Sequence, residues 1–404
     1  MFLLPYGAMS ESPALPKPER LVSLDAYRGF VMFLMAAEML RVPGVAGHFP
    51  DSTIWHWLAF HSEHVAWAGC SLHEMIQPSF SFMVGVAMPF SMASRSALGQ
   101  SKAQLWGHAL WRSLVLILLG VWLRSMGKPQ TYWTFEDTLS QIGLGYPFLF
   151  ALGFASTRLR WCALLVILLG YWGLFASYSP PAGFTPAMAN VPADWHENFT
   201  GFAAHWNLNL NPAWDFDRWF LNLFPRAQKF IGHPSGYATL SFIPTLGTMV
   251  LGLIGGQWLK DRKRPGQPAV RLFVAGAVCF ALGLLLQALG VCPIVKKIWT
   301  PAWTLYSGGL CFWLMTAFYL LIDLPGWRAW AFPLVVIGTN SIAMYVMAHT
   351  LTSFVGQGLD THFGKNWAQV AGDVFAPMLH GAVVLFILWL ILLWMHRRKL
   401  FLRV

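Results

Sequence analysis

The sequence predicts an all-α polytopic membrane protein of about ten transmembrane helices in one bundle, with both termini cytoplasmic. Three observations predict it. Of the 404 residues, 56% are hydrophobic and only 11% charged, against roughly 25% charged in soluble domains. Apolar windows of about the 20 residues that a bilayer demands recur along the chain. They run near 26–42, 72–94, 106–125, 139–157, 160–178, 238–259, 270–290, 303–322, 332–354 and 375–396. Most of the 27 Lys and Arg residues, among them Arg95, Lys102, Arg158, Arg160, Lys260, Arg262, Lys263, Arg264, Arg397 and Arg398, fall at one set of window ends. The excess of basic residues on the inner side then sets the orientation.

Residues 1–20, MFLLPYGAMSESPALPKPER, have a very short, Pro-rich apolar start with no basic residue ahead of it, which does not fit a targeting sequence. They are expected to be a mobile cytoplasmic tail, with 21–404 as one transmembrane domain. The first window opens RLVSLDAYRGFVMFLMAAEML. Asp25 can cap it and can pair with Arg28 at i, i+3. Glu38 lies further along the same helix, about 15 Å away at the helical rise, and a carboxylate in such apolar company is a functional-site hypothesis.

The stretch from His61 to Pro89, HSEHVAWAGCSLHEMIQPSFSFMVGVAMP, begins polar and becomes the second window. It delivers His64, Trp67 and Glu74 to the outer mouth of a helix. An interfacial loop with His and Trp at headgroup level fits the same residues. The outward regions are 43–71, 126–138 and the long extracytoplasmic loop 179–237, and they carry seven of the 13 histidines. In the last, Trp195, Trp206, Trp214 and Trp219 alternate with Asn207, Asn209, Asn211, Asp215 and Asp217. Aromatic faces with amides and carboxylates suit a sugar ring, and a loop of this length asks for a function, although a loop lying on lipid headgroups has the same composition.

Later windows add fewer polar groups. Thr248 and Gln141 are candidates for a tunnel wall. Lys296 and Lys297, on the outward side, can attract an anion or sit at headgroup level. Asn340 and Ser341 can bond a cofactor arm or join helices. The net charge of +10 follows from topology, so no nucleic-acid partner is expected. The five cysteines read as small apolar residues, with Cys70 and Cys292 the one pair that could share an aqueous side. His56, His61, His64 and His73 lack zinc-ligand spacing, and no metal is expected.

Five blocks, RLVSLDAYRGFVMFLM, HVAWAGCSLHEMIQPSFSFMVGVAMPFSM, TLSFIPTLGTMVLGLIGGQWL, CPIVKKIWTPAWTLYSGGL and VIGTNSIAMYV, resemble in order and spacing the heparan-alpha-glucosaminide N-acetyltransferase-like membrane acyltransferases. The resemblance covers residues 20–396. It implies a ten-helix core that takes acetyl from cytosolic acetyl-CoA and gives it to the amine of a glucosamine-type sugar on the far side. It also implies a homodimer, and a bacterial inner-membrane member linked to N-acetylglucosamine use. The family's catalytic histidine falls on His64, in H-x-x-W-x-G with Trp67 and Gly69. Its Asp-x-x-Arg-Gly falls on Asp25, Arg28 and Gly29, and its Asn-Ser-Ile-x-x-Tyr on Asn340, Ser341 and Tyr345. One departure is Glu74, where the family has Asp. Without the large N-terminal lumenal domain of the lysosomal member, heparan sulfate itself is not the expected acceptor.

The chemistry agrees. Transfer to an amine needs a proton acceptor, and histidine titrates nearest working pH, so His64 can be the base or an acetyl-carrying nucleophile. Asp25 and His64 should stand at opposite faces of the bilayer, which leaves Glu38, Glu63 or Glu74 to orient His64. Asp25, Arg28, Asn340, Ser341, Tyr345 and Thr248 are expected along the acetyl-CoA path. Trp67, Trp206, Asn207, Asn209 and Lys296 are expected at the acceptor. The alternative is a transporter for N-acetylglucosamine or a related amino sugar, which the lack of an evident inverted repeat disfavours.

Overall fold

The computed structural model describes residues 21–261 and 266–402. The expected tail 1–20 and the basic residues Arg262, Lys263, Arg264 and Arg403 lie outside the described residues. The helices are α1 (Val22–Ala36), α2 (Val42–Ala46), α3 (Thr53–Ser62), α4 (Ile76–Ala97), α5 (Lys102–Ser125), α6 (Thr138–Gly153), α7 (Thr157–Ala176), α8 (Pro212–Phe220), α9 (Phe242–Lys260), α10 (Gln267–Ala288), α11 (Pro301–Phe318), α12 (Phe332–Thr339), α13 (Ser341–Thr350), α14 (Thr352–Phe363) and α15 (Ala376–Arg397). All ten expected windows are helical, and among the described residues there is no strand beyond one isolated bridge. The chain is an all-α, integral multi-pass membrane protein.

Among the described residues six helical segments are long and apolar enough to cross a membrane: α5, α7, α9, α10, α11 and α15, with α9 and α11 extended by short turns. The ninth window is not one rod, because α12 and α13 meet at Asn340 with an 80° bend and together make a seventh, broken span. Of the rest, α1 and α6 are short, while α4 carries Gln77, Ser79, Ser81, Ser91, Ser94 and Arg95. Of these α4 groups, Gln77, Ser91, Ser94 and Arg95 line cavities within the bundle and Ser79 and Ser81 are buried, which fits the cost of polar side chains in lipid. At the centre stands α9, whose spanning window is 83% buried.

Small residues set how closely the rods approach. A Cβ at Gly85 would lie 1.9 Å from the Met249 carbonyl oxygen, and one at Gly252 would lie 1.9 Å from that of Phe82. The backbones of α4 and α9 therefore touch, as small-residue seams permit in membranes. Gly29 and Gly338 do the same for α1 and α12, where a Cβ would come within 1.8 Å of the Leu334 oxygen and 1.7 Å of the Asp25 oxygen. The cap on α1 is not Asp25: Asp323, at the end of the α11 extension, accepts from Val22 N and Ser23 N, each at 3.2 Å. The Asp25 carboxylate instead pairs with Arg28 at 3.8 Å.

The outer segment 179–237 is folded against the bundle, and its amides are spent internally. Asn207 bonds both backbone groups of Phe199, at 2.7 and 3.1 Å. Asn209 donates to the Ala189 and His233 carbonyls, and Asn211 caps α8. Trp206 is fully buried. All five cysteines are free, so Cys70 and Cys292 are not joined. Asp217, whose Oδ2 accepts from Thr239 N at 2.8 Å, has its carboxyl pushed up to about 7 by burial.

Two predictions follow from this packing. Gly252→Leu forces α4 from α9, and overpacking of this kind costs roughly 1–3 kcal/mol; the detergent-purified variant is expected to melt below wild type. For Asp217, the folded state keeps a proton that the unfolded chain releases near the ordinary carboxylate range. The resulting stability is present at low pH and lost as pH rises through about 7. Asp217→Asn is expected to melt above wild type at pH 8 and close to it at pH 4, a difference that thermal scans at both pH values measure.

Candidate functional site

The segment joining α3 to α4 is shaped by a few local bonds. Gly69 adopts φ +113°, in the left-handed region where a side chain is strained, which accounts for the glycine of the H-x-x-W-x-G motif. Leu72 N donates to the His61 ring at 3.0 Å, and Ser71 Oγ donates to the Glu63 carbonyl at 2.6 Å. Trp67 is buried, its indole donating to the Trp206 carbonyl at 3.1 Å. Gly236 lies against its ring, where a Cβ would come within 2.5 Å. Trp67 is thus an anchor for the outer segment and offers no face to a ligand.

A second strand of chain, 293–299, is sewn to this segment. Ala68 and Val295 form an antiparallel bridge, and Gly69 N donates to the Ile294 carbonyl at 3.1 Å. Lys297 Nζ donates to the Ala66 carbonyl at 2.6 Å. Thr300, which caps α11, also donates to the Pro293 carbonyl at 2.7 Å and fixes the turn. Lys296 is thereby aimed at Glu74.

There the central cluster forms. His64 Nδ1 lies 3.1 Å from Glu74 Oε1, and Lys296 Nζ lies 2.6 Å from Glu74 Oε2 and 3.4 Å from His64 Nδ1. Val65 N donates to Glu74 Oε1 at 3.0 Å. Glu74 is completely buried. Its burial alone would favour the neutral acid, but the hydrogen bond with His64 and the Lys296 ammonium outweigh it and hold the carboxyl down at about 2. Of the three carboxylates that could orient His64, the structure brings Glu74 to it. Glu38 instead meets His73 Nε2 at 2.9 Å, and that hydrogen bond lowers its carboxyl below the usual range. The His73 ring stands edge-on to His64 with centroids 4.6 Å apart.

His64, Glu38, His73 and Lys296 line an outer chamber of about 450 Å³. Arg124, Glu136, Asp137, Tyr237 and His349 line the same chamber. An inner cavity of about 740 Å³ is lined by Asp25, Arg28, Arg95, Arg112, Ser341 and the tail residues Phe401 and Leu402. Thr138 and Tyr345 belong to both walls, so the two chambers abut there. In the inner one Arg112 donates to the Tyr146 hydroxyl at 3.3 Å, and Arg95 contacts His108.

Several expected site residues stand elsewhere. Thr248 accepts from the Trp299 indole at 3.2 Å, away from both cavities. Asn340 holds the C-terminal segment, donating to the Leu400 carbonyl at 3.0 Å and accepting from Leu402 N at 3.1 Å. Gln141 donates to the carbonyls of Phe135 and Thr239. Trp206, Asn207 and Asn209 build the outer segment and do not line the chamber. The sequence reading overlooked Arg95, Arg112, Arg124, Glu136 and Asp137. Arg124 carried a usable signal, since a guanidinium inside an apolar window has to face a cavity or a partner. Among the described residues no group of three or more His, Cys, Asp or Glu could hold a metal ion.

No family model matches the chain. It is 23% identical over 427 residues to the heparan-alpha-glucosaminide N-acetyltransferase of Homo sapiens, and 22% identical over 434 residues to that of Mus musculus. Each alignment covers 95% of this chain, which spans 60% of the length of these curated relatives. Over nearly its whole length the chain is thus similar to these two N-acetyltransferases.

Proposed function

We propose that this protein is a transmembrane acetyltransferase that moves acetyl from acetyl-CoA, entering the inner cavity, to the amine of a glucosamine-type sugar in the outer chamber. The observation that carries the reading is the pair of abutting chambers: Arg28, Arg95 and Arg112 line one, His64 and Lys296 line the other with Glu74 buried behind them, and Thr138 and Tyr345 stand in both walls. Arg28, Arg95 and Arg112 suit the phosphates of the donor, because guanidinium groups match phosphate geometry. The slender pantetheine arm then passes Thr138 and Tyr345 and brings its thioester toward His64.

His64 acts as the general base. Its Nδ1 is committed to Glu74, which leaves Nε2 to take a proton from the attacking nitrogen, the logic by which a carboxylate orients a catalytic imidazole. The new N–C bond forms as the C–S bond breaks, and the imidazolium returns its proton to the CoA thiolate. Lys296 keeps Glu74 ionised throughout. By the distribution of basic residues the inner cavity opens to the cytoplasm, and a bacterial inner membrane is the setting.

A transporter for an amino sugar is the second reading, favoured by the 80° break between α12 and α13, since broken helices line transport sites. The two separate on one variant. His64→Ala is expected to lower acetyl transfer to glucosamine by about 100-fold or more while binding of CoA, followed by calorimetry, persists. Transfer at the wild-type rate removes His64 from the mechanism, and acetyl-CoA-independent uptake of sugar into proteoliposomes favours the transporter.

A further inference from the structure

We propose that Glu136 docks the ammonium group of the acceptor in the outer chamber and takes its first proton, making the site selective for protonated aliphatic amines. The proposal rests on the acetyltransferase reading above and adds the residue that recognises the acceptor.

The placement of the chamber's carboxylates leads to it. Glu74 is committed to His64 and Lys296, and Glu38 to His73. Glu136 and Asp137, which line the same chamber, have no histidine partner among the described residues. Asp137 caps α6, its Oδ1 accepting from Leu139 N at 2.9 Å and Ser140 N at 3.1 Å. Its Oδ2 is buried with no hydrogen-bond partner among the described residues. Glu136 Oε2 accepts from the Thr134 hydroxyl. The Arg124 guanidinium stands 4.0 Å from Oε1, beyond hydrogen-bonding reach. The side chain is therefore oriented by Thr134 and balanced in charge by Arg124, with Arg226 also near enough to act on it, and it lines the chamber where an acceptor would sit.

The chemistry supplies the need. An aliphatic amine reaches the site as R–NH3⁺, which has no lone pair, and it must lose two protons to become an amide. The first passes to Glu136, giving R–NH2 and a neutral carboxylic acid. The free amine then attacks the thioester carbon, His64 takes the second proton as the C–S bond breaks, and that proton goes to the CoA thiolate. The Glu136 proton leaves to outer water, so the balance is R–NH3⁺ plus acetyl-CoA to R–NH-acetyl, CoA-SH and one H⁺. Burial, aided by the Asp137 carboxylate and opposed by Arg124, pushes the Glu136 carboxyl up to about 7, which suits a group that must accept and release a proton near neutrality.

The test compares two acceptors, glucosamine and hydroxylamine, the second being unprotonated at neutral pH and needing no first deprotonation. Detergent-purified wild type, Glu136→Gln and Glu136→Asp are assayed with labelled acetyl-CoA, with thermal melting and CoA binding as checks that each variant is folded. Glu136→Gln is expected to lower kcat/KM for glucosamine by about 100-fold and to leave hydroxylamine acetylation within about threefold of wild type, with part of the glucosamine rate recovered in Glu136→Asp. Equal loss on both acceptors, or loss on neither, overturns the proposal. A wild-type protein that acetylates neither overturns the acetyltransferase reading, and this inference with it.

Discussion

One buried carboxylate organises the outer half of the molecule. Glu74 has given up water entirely, which costs a carboxylate several kcal/mol unless partners restore what hydration supplied. Those partners come from three places: the His64 ring, the Val65 amide and the Lys296 ammonium, the last carried by a segment more than 200 residues away in sequence. The pairing therefore does more than orient an imidazole. It docks the polar strap before α4 onto the turn before α11, and the Ala68–Val295 bridge and the Lys297 bond to Ala66 hold the same seam. Residues named here for chemistry are also the residues that close the outer face of the bundle.

The bundle around this seam is polar inside and apolar outside. Helices that are exposed on much of their surface, such as α10 and α15, are the most hydropathic, whereas α1, α4 and α6 line the two chambers and keep serines, an aspartate and arginines. Glycine seams between α4 and α9 and between α1 and α12 bring backbones into contact, which holds the chamber walls at fixed spacing. The Asn340 break serves the same end. It turns α13 so that Tyr345 stands where both chambers meet, and it ties the C-terminal residues Phe401 and Leu402 into the inner wall.

Much of this was legible in the sequence. Hydropathy marks all ten helical windows, the motif around His64 points to that residue, and Glu74 and Lys296 are both expected on the same outward side. What hydropathy does not encode is direction. The tryptophans and asparagines of 179–237 read as a sugar platform because their types fit one, yet each amide closes a backbone turn and Trp67 and Trp206 face inward. Asn340 likewise matches a family motif and spends its side chain on the tail. Glu136 lies in a short loop ahead of an apolar run, where nothing in the residue pattern separates it from its neighbour Asp137, which caps α6.

The central claim is a transfer across the bilayer, and sealed proteoliposomes of one orientation test it most directly. Labelled acetyl-CoA is confined to the compartment facing the inner cavity and glucosamine to the other. The account predicts labelled N-acetylglucosamine appearing on the glucosamine side without the sugar crossing. Product formed only when both substrates share a compartment, or sugar that crosses unmodified, contradicts it.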